Sequence, residues 1–218
     1  MKISFDRIKN DPEIKTYIKV ADNSLCALGF TEHSFQHVGK VAENAAYILK
    51  TLGYDDHTAN LAKIAGYMHD IGNLVNRTDH SQSGAVMAFK ILGSMDMDAD
   101  DIATVVTAIG NHDEGTGVAV NSVAAALILA DKTDVRRTRV RNIDFSAFDI
   151  HDRVNYSVTD STLNIEGNEI RLRLTIDTSI GSIMDYFEIF LSRMTMCTRA
   201  AKKLGLNFKL SINGQNFI

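Results

Sequence analysis

A chain of 218 residues, 45% of them hydrophobic, can bury one core of ordinary domain size. Its net charge of −4 supplies no basic field for nucleic acid or anionic lipid, and no apolar run approaches the ~20 residues that span a bilayer. The first residues lack the apolar core of a secretory leader, and the two cysteines, Cys26 and Cys197, lie far apart in no metal-binding spacing, so a cytoplasmic protein is expected.

A single proline, Pro12, leaves room for long uninterrupted helices. The first clear one covers residues 31–52, with Val38, Val41, Ala42, Ala45, Ile48, Leu49 and Leu52 at helical spacing and Gly53 as its stop. A second runs over 56–70 from Asp56, carrying Ala59, Ala62, Ile64, Ala65 and Met68, and Gly72-Asn73 ends it. Helical patterns follow over 81–92, 99–111 and 121–133, separated by polar turns such as the one from His112 to Gly117. Residues 1–142 therefore read as an all-helical domain.

The pattern changes after Asn142. Residues 154–158, 162–165 and 170–176 alternate as strands do, and Glu166-Gly167-Asn168-Glu169 joins the last two as a hairpin. A helix over 182–204 follows, with Tyr186, Phe187 and Phe190 on the side expected to pack on the sheet. A short strand over 207–212 closes the chain. Residues 143–218 thus read as a small α+β tail, expected to offer a homodimer surface and to carry no chemistry.

The histidines and certain aspartates fall at meaningful places. His37 sits on the first long helix, and His69-Asp70 ends the next. His80 opens the following segment, His112 closes another, and Asp131 ends the apolar run Ala124-Ala125-Ala126-Leu127-Ile128-Leu129-Ala130. A buried imidazole or carboxylate is costly unless it is paired or bound to metal. Imidazole with carboxylate and no thiolate suits iron, manganese, cobalt, nickel or zinc, and magnesium less well.

Three stretches carry a specific likeness: His37-Val38-Gly39-Lys40-Val41-Ala42-Glu43-Asn44-Ala45, Tyr67-Met68-His69-Asp70-Ile71-Gly72-Asn73 and Leu127-Ile128-Leu129-Ala130-Asp131-Lys132. In this order they resemble the motifs of the HD phosphohydrolase superfamily, over residues 30–140. The resemblance implies a helical metal-dependent phosphohydrolase in which His37, His69, Asp70 and Asp131 bind one divalent ion. The segments from Asp79 to Ala85 and from Ile109 to Glu114 resemble the extra histidine motifs of two-metal members. They imply that His80 and His112 hold a second ion, with Asp70 shared. On that reading a metal-activated water attacks phosphorus, and Glu114 or Asp113 orients it or protonates a leaving oxygen.

Two departures from the family are visible. Many relatives carry a phosphate-contacting lysine where this chain has Asn73. The residues after His112 lack the Gly-Tyr-Pro element of the branch that hydrolyses cyclic di-GMP. Asn73, Lys132, Arg136 and Arg137 are the candidate substrate contacts, the arginines because a guanidinium fork suits phosphate. His33 reads as pocket rim, and His57 and His151 as solvated. The expected substrate is a nucleotide or other small phosphorylated molecule. A non-catalytic regulatory module and a di-iron oxygenase of the same fold are the alternatives.

Overall fold

A computed structural model describes residues 2–218. The chain begins with two helices that sequence periodicity did not delimit. Helix α1, Phe5–Asn10, is capped by Ser4; α2, Pro12–Ala27, is capped by the Asp11 carboxylate, which accepts from the Glu13 and Ile14 N–H groups. Next come α3, Phe35–Thr51, capped by Ser34, and α4, Asp56–Met68, capped by Asp55. A 3-10 turn, Ile71–Leu74, leads into α5, His80–Ser94, then α6, Ala99–Gly110, and α7, Ser122–Lys132, capped by Asn121. The expected helices are present with ends moved by a few residues, and capping side chains set the starts of α3, α4 and α7.

Helix α7 is the centre of the bundle. Every residue from Val123 to Lys132 is buried, as befits a helix that is apolar on all sides, and α3, α4 and α6 pack around it. Burial of each large apolar side chain, such as Leu127, Ile128 or Leu129, stabilises by about 1.5–3 kcal/mol. Helices α3 and α4 approach closely at Gly66, where a Cβ would lie 2.8 Å from the Ala42 Cα. That contact sets the separation of the two helices that deliver His37 and His69.

Beyond α7 the chain makes two 3-10 turns, Arg137–Arg139 and Phe145–Ala147, and then α8, Ile150–Ser157. The strand expected over 154–158 is therefore a helix. Asp149 accepts from the Asp152 N–H and nucleates it, and so short a segment carries no decisive period of its own. Strand β1, Val158–Glu166, extends the expected 162–165 and pairs antiparallel with β2, Glu169–Ile176, across a turn in which Gly167 takes φ +61°. Helix α9, Ile183–Lys203, crosses over to β3, Asn207–Ile212, which pairs parallel to β2, and β4, Gln215–Asn216, closes the sheet in the order β1-β2-β3-β4.

The mainly helical class with a small sheet at the C-terminal end matches the expectation. The boundary expected at 142/143 falls between the two 3-10 turns that follow α7. Across it the core is continuous, because α9 packs on both α7 and β3 and its Tyr186, Phe190 and Met194 join the cluster formed by the bundle.

Candidate metal centre

The turns and ends of five helices bring the sequence-identified ligands together. His37 lies in the first turn of α3. His69 and Asp70 directly follow α4, His80 begins α5, His112 follows α6, and Asp131 is in the last turn of α7. All six are buried. The 3-10 turn after Asp70 packs so closely on α5 that a Cβ on Gly72 would collide with the His80 carbonyl oxygen, which brings the two ligand-bearing segments side by side.

Asp70 divides the cluster. Its Oδ2 lies 3.1 Å from His69 Nε2 and 3.7 Å from His37 Nε2, and Asp131 Oδ1 completes this set at 3.4 Å from His37 Nε2 and 3.6 Å from His69 Nε2. The other oxygen, Oδ1, faces His80 Nε2 at 3.5 Å and His112 Nε2 at 3.9 Å. Donors around one first-row ion, each roughly 2.1 Å from it, stand about 3.0–3.5 Å apart. The observed separations are close to the edges of two such donor sets that share Asp70.

The imidazoles are oriented from behind. Nδ1 of His69 donates to the Gly66 carbonyl at 2.8 Å, His80 to Arg77 at 3.0 Å, and His112 to Ile109 at 2.6 Å. Nδ1 of His37 donates to Asp134 Oδ2 at 2.8 Å. Each ring therefore turns a bare Nε2 lone pair toward the centre, the tautomer a metal ligand needs. Nε2 of His37 and of His69 is buried without any hydrogen-bond partner. Such unpartnered nitrogens, gathered beside two carboxylates, fit a divalent cation.

The electrostatics agree. Burial opposes charge on Asp70 and Asp131, yet His69 beside Asp70, and Lys132 with His37 and His69 beside Asp131, hold both carboxyls well below their ordinary range. Burial also opposes charge on His69, but the two carboxylates outweigh it and push the imidazole up to about 10. The cluster thus demands a positive charge between its carboxylates. His80 and His112, in contrast, are kept neutral chiefly by burial.

Around this centre lies a charged frame that sequence reasoning missed. Asp134 is fully buried and accepts from His37, ion-pairs with Lys40 at 2.9 Å and accepts from Arg136 Nε at 3.1 Å. Glu32 joins Arg136 Nη2 at 2.9 Å and receives the N–H of His37 at 3.3 Å. Asp134 stands three residues after Asp131, one helical turn on, and that spacing was the available signal. Glu32 lay in a segment read as helix start and gave none.

A cleft of about 270 Å³ opens onto the centre. Asp70, His80, His112 and Asp131 form its floor; Phe30, His33, Arg77, Lys132, Arg139, Phe190 and Arg193 are among its walls. Of the residues expected to contact substrate, Lys132 is there, 2.8 Å from Asp131 Oδ2 and 3.4 Å from Glu114 Oε2. Arg136, Arg137 and Asn73 do not line it. Arg136 braces Asp134 and Glu32, whereas Arg137 stacks on Tyr156 and donates to its carbonyl at 2.6 Å. Asn73 donates to the Asp70 backbone and carboxylate at 3.0 and 3.1 Å, so it steadies a ligand from behind.

Glu114 lies beside the cleft, and although burial opposes its charge, Lys132 and Arg193 pull its carboxyl down to about 2, which leaves no proton for a leaving group at neutral pH. His33 is at the rim as expected, His151 is exposed at the cleft's edge, and His57 is bound to Asp101 at 2.7 Å, far from the centre. Phe190, expected to pack on the sheet, is buried in the core cluster that includes the sheet residues and also reaches the cleft wall.

A helical domain whose helix ends bring imidazoles and carboxylates to two adjoining points defines a metal-binding class. The family model of the HD domain matches residues 34–154, over half of the chain, and the chain belongs to that family, within a superfamily of metal-dependent hydrolases. It is also similar to the uncharacterized protein MJ1020 of Methanocaldococcus jannaschii, with 27% identity over 173 residues that cover 69% of this chain and 66% of that one. The chain thus spans just under two thirds of that relative's length. Among the described residues no helix is long and apolar enough to cross a membrane.

Proposed function

We propose that the protein is a metal-dependent phosphohydrolase that cleaves a phosphoester or phosphoanhydride of a nucleotide or other small phosphorylated molecule. The observation that carries this reading is the split use of Asp70, with Oδ2 toward His37 and His69 and Oδ1 toward His80 and His112. Its two oxygens serve two donor sets, so the residues fit a pair of adjoining cations: His37, His69, Asp70 and Asp131 for one, and Asp70, His80 and His112 for the other. When bound, manganese, iron, cobalt, nickel or zinc would acidify water and neutralise charge growing on phosphoryl oxygens.

The chain's own residues bind and orient. Arg77 reaches over the floor of the cleft, its Nη1 3.3 Å from His80 Nε2, and has no carboxylate partner among the described residues. It offers the phosphate contact that relatives draw from a lysine at the position of Asn73. Lys132 adds a second positive charge beside Asp131. The cleft is small against the roughly 300–1,000 Å³ of typical ligand sites, which favours a compact substrate. The free thiols of Cys26 and Cys197 accord with a reducing cytoplasm. The unpaired edge of β1 is where a second copy of the chain would join in a homodimer.

The test is elemental analysis of protein purified without chelator, wild type against Asp70→Ala, followed by hydrolysis of p-nitrophenyl phosphate and of nucleotides. Transition metal lost in the variant, together with hydrolysis that depends on it, supports the reading. A wild-type protein that takes up no manganese, iron or zinc would overturn it.

A further inference from the structure

The C-terminal helix α9 brings a cation to the cleft from outside the region that the family match covers, which ends at residue 154. Arg193 Nε lies 2.6 Å from Glu114 Oε1, and the guanidinium stands over the Phe190 ring at 4.4 Å from its centre. The guanidinium is therefore fixed along one edge and over one face. Its two Nη groups have no protein partner among the described residues, and the side chain keeps 24% of its surface exposed where it lines the cleft. A guanidinium held in this way presents a preorganised planar fork to an oxyanion.

The position complements that of Arg77. Arg77 stands beside His80, in the second donor set, whereas Arg193 stands beyond Lys132 and Asp131, in the first. One phosphoryl group over the floor satisfies Arg77 and Lys132 and leaves the Arg193 fork unused. We infer that Arg193 binds a second phosphate of the substrate, the one not attacked, and so selects compounds that carry two phosphates over those that carry one. This rests on the cleft being the phosphohydrolase site proposed above, and it makes α9 part of the substrate site.

The experiment is calorimetric binding of adenosine diphosphate against adenosine monophosphate, and of pyrophosphate against orthophosphate, to chelator-stripped and to manganese-loaded protein. The wild type is expected to favour the two-phosphate member of a pair at least about tenfold. Arg193→Ala should bring that ratio close to unity. Arg193→Lys, which keeps the charge beside Glu114 and so protects the fold, should lose most of it because a point charge lacks the fork. A wild type without preference in either pair, or a ratio that neither variant moves, overturns the inference. Absent hydrolysis of p-nitrophenyl phosphate, adenosine diphosphate and pyrophosphate alike, alongside a preference that follows Arg193, would instead refute the hydrolytic reading and leave the Arg193 site standing.

Discussion

The Nε2 atoms of His80 and His112 face each other across 3.1 Å. Each ring already donates from Nδ1 to a backbone carbonyl, so two lone pairs point into the same space, and burial keeps both rings neutral. A cation between them turns this repulsion into coordination. His112→Ala is therefore expected to retain one metal ion fewer than wild type, with the set around His37 and His69 still loaded. Elemental analysis after gel filtration reads the difference, and an unchanged metal count would break the two-set arrangement. Chelation should also lower the thermal midpoint of the wild type, because an ion bound only by the folded chain stabilises it by mass action.

Asp134 acts on the centre through His37. Its carboxylate accepts the Nδ1 proton and is itself held by Lys40 and Arg136. In Asp134→Asn the amide has the same shape but loses the charge that balances these cations, and its nitrogen can turn to His37 and reverse the tautomer. Removal of such an orienting partner weakens metal binding roughly 10- to 100-fold. Competition against a chromogenic chelator measures this, and wild-type affinity in the variant would show that Asp134 serves packing alone.

How much of this was legible in the sequence follows from local pattern. His69 and Asp131 stood out because each ends an apolar helix, where an unpaired polar group is costly. Asp134 did not, since its partner His37 is 97 residues away and, unlike His69 and Asp131, it does not follow an apolar run. Arg136 and Arg137 looked like substrate contacts for the converse reason: sequence places them after a ligand but does not say that one turns to Glu32 and the other to Tyr156. Arg193 lies on a helix of the tail, in which no residue suggested chemistry, and only the packing of α9 on α7 reveals that it reaches the cleft. The strand expected over 154–158 failed because a few residues fit both periods, and the Asp149 cap decided for a helix over Ile150–Ser157.

Glu114 makes a pH-dependent contribution whose sign is fixed by its surroundings. Its carboxyl is pulled from 4.5 to about 2 by Lys132 and Arg193 against the cost of burial. A carboxylate depressed on folding stabilises the native state above its unfolded value, and that stabilisation is lost as pH falls through the window from 4.5 to about 2. Glu114→Gln leaves Lys132 and Arg193 short of a carboxylate and should cost roughly 3 kcal/mol at neutral pH. Urea unfolding of both proteins at a series of pH values should show this difference shrinking through the same window. A difference independent of pH would mean that the variant is weakened by packing and not by charge.

Arg77 gives the sharpest separation of binding from folding. It is part-exposed, makes no ion pair among the described residues, and rests over Phe30 with its guanidinium 5.6 Å from the ring centre. Nothing in the core depends on it, so Arg77→Ala should change stability by no more than about 0.5 kcal/mol. Its Nη1, by contrast, donates toward the His80 Nε2 lone pair from 3.3 Å, the lone pair that a cation in the second donor set would take, which leaves the guanidinium to an anion once metal is bound. A phosphoryl oxygen is that anion in the proposed reaction. Loss of one charge-assisted contact of about 1.5–3 kcal/mol should then raise KM for a phosphomonoester roughly 10- to 100-fold, with metal content unchanged. Arg77→Lys should recover part of this, since it restores the charge without the fork. Steady-state kinetics of the three proteins, set beside their thermal midpoints and metal content, decide the matter: an unchanged KM in Arg77→Ala would remove this residue from the substrate site and leave the phosphate of a monoester to Lys132.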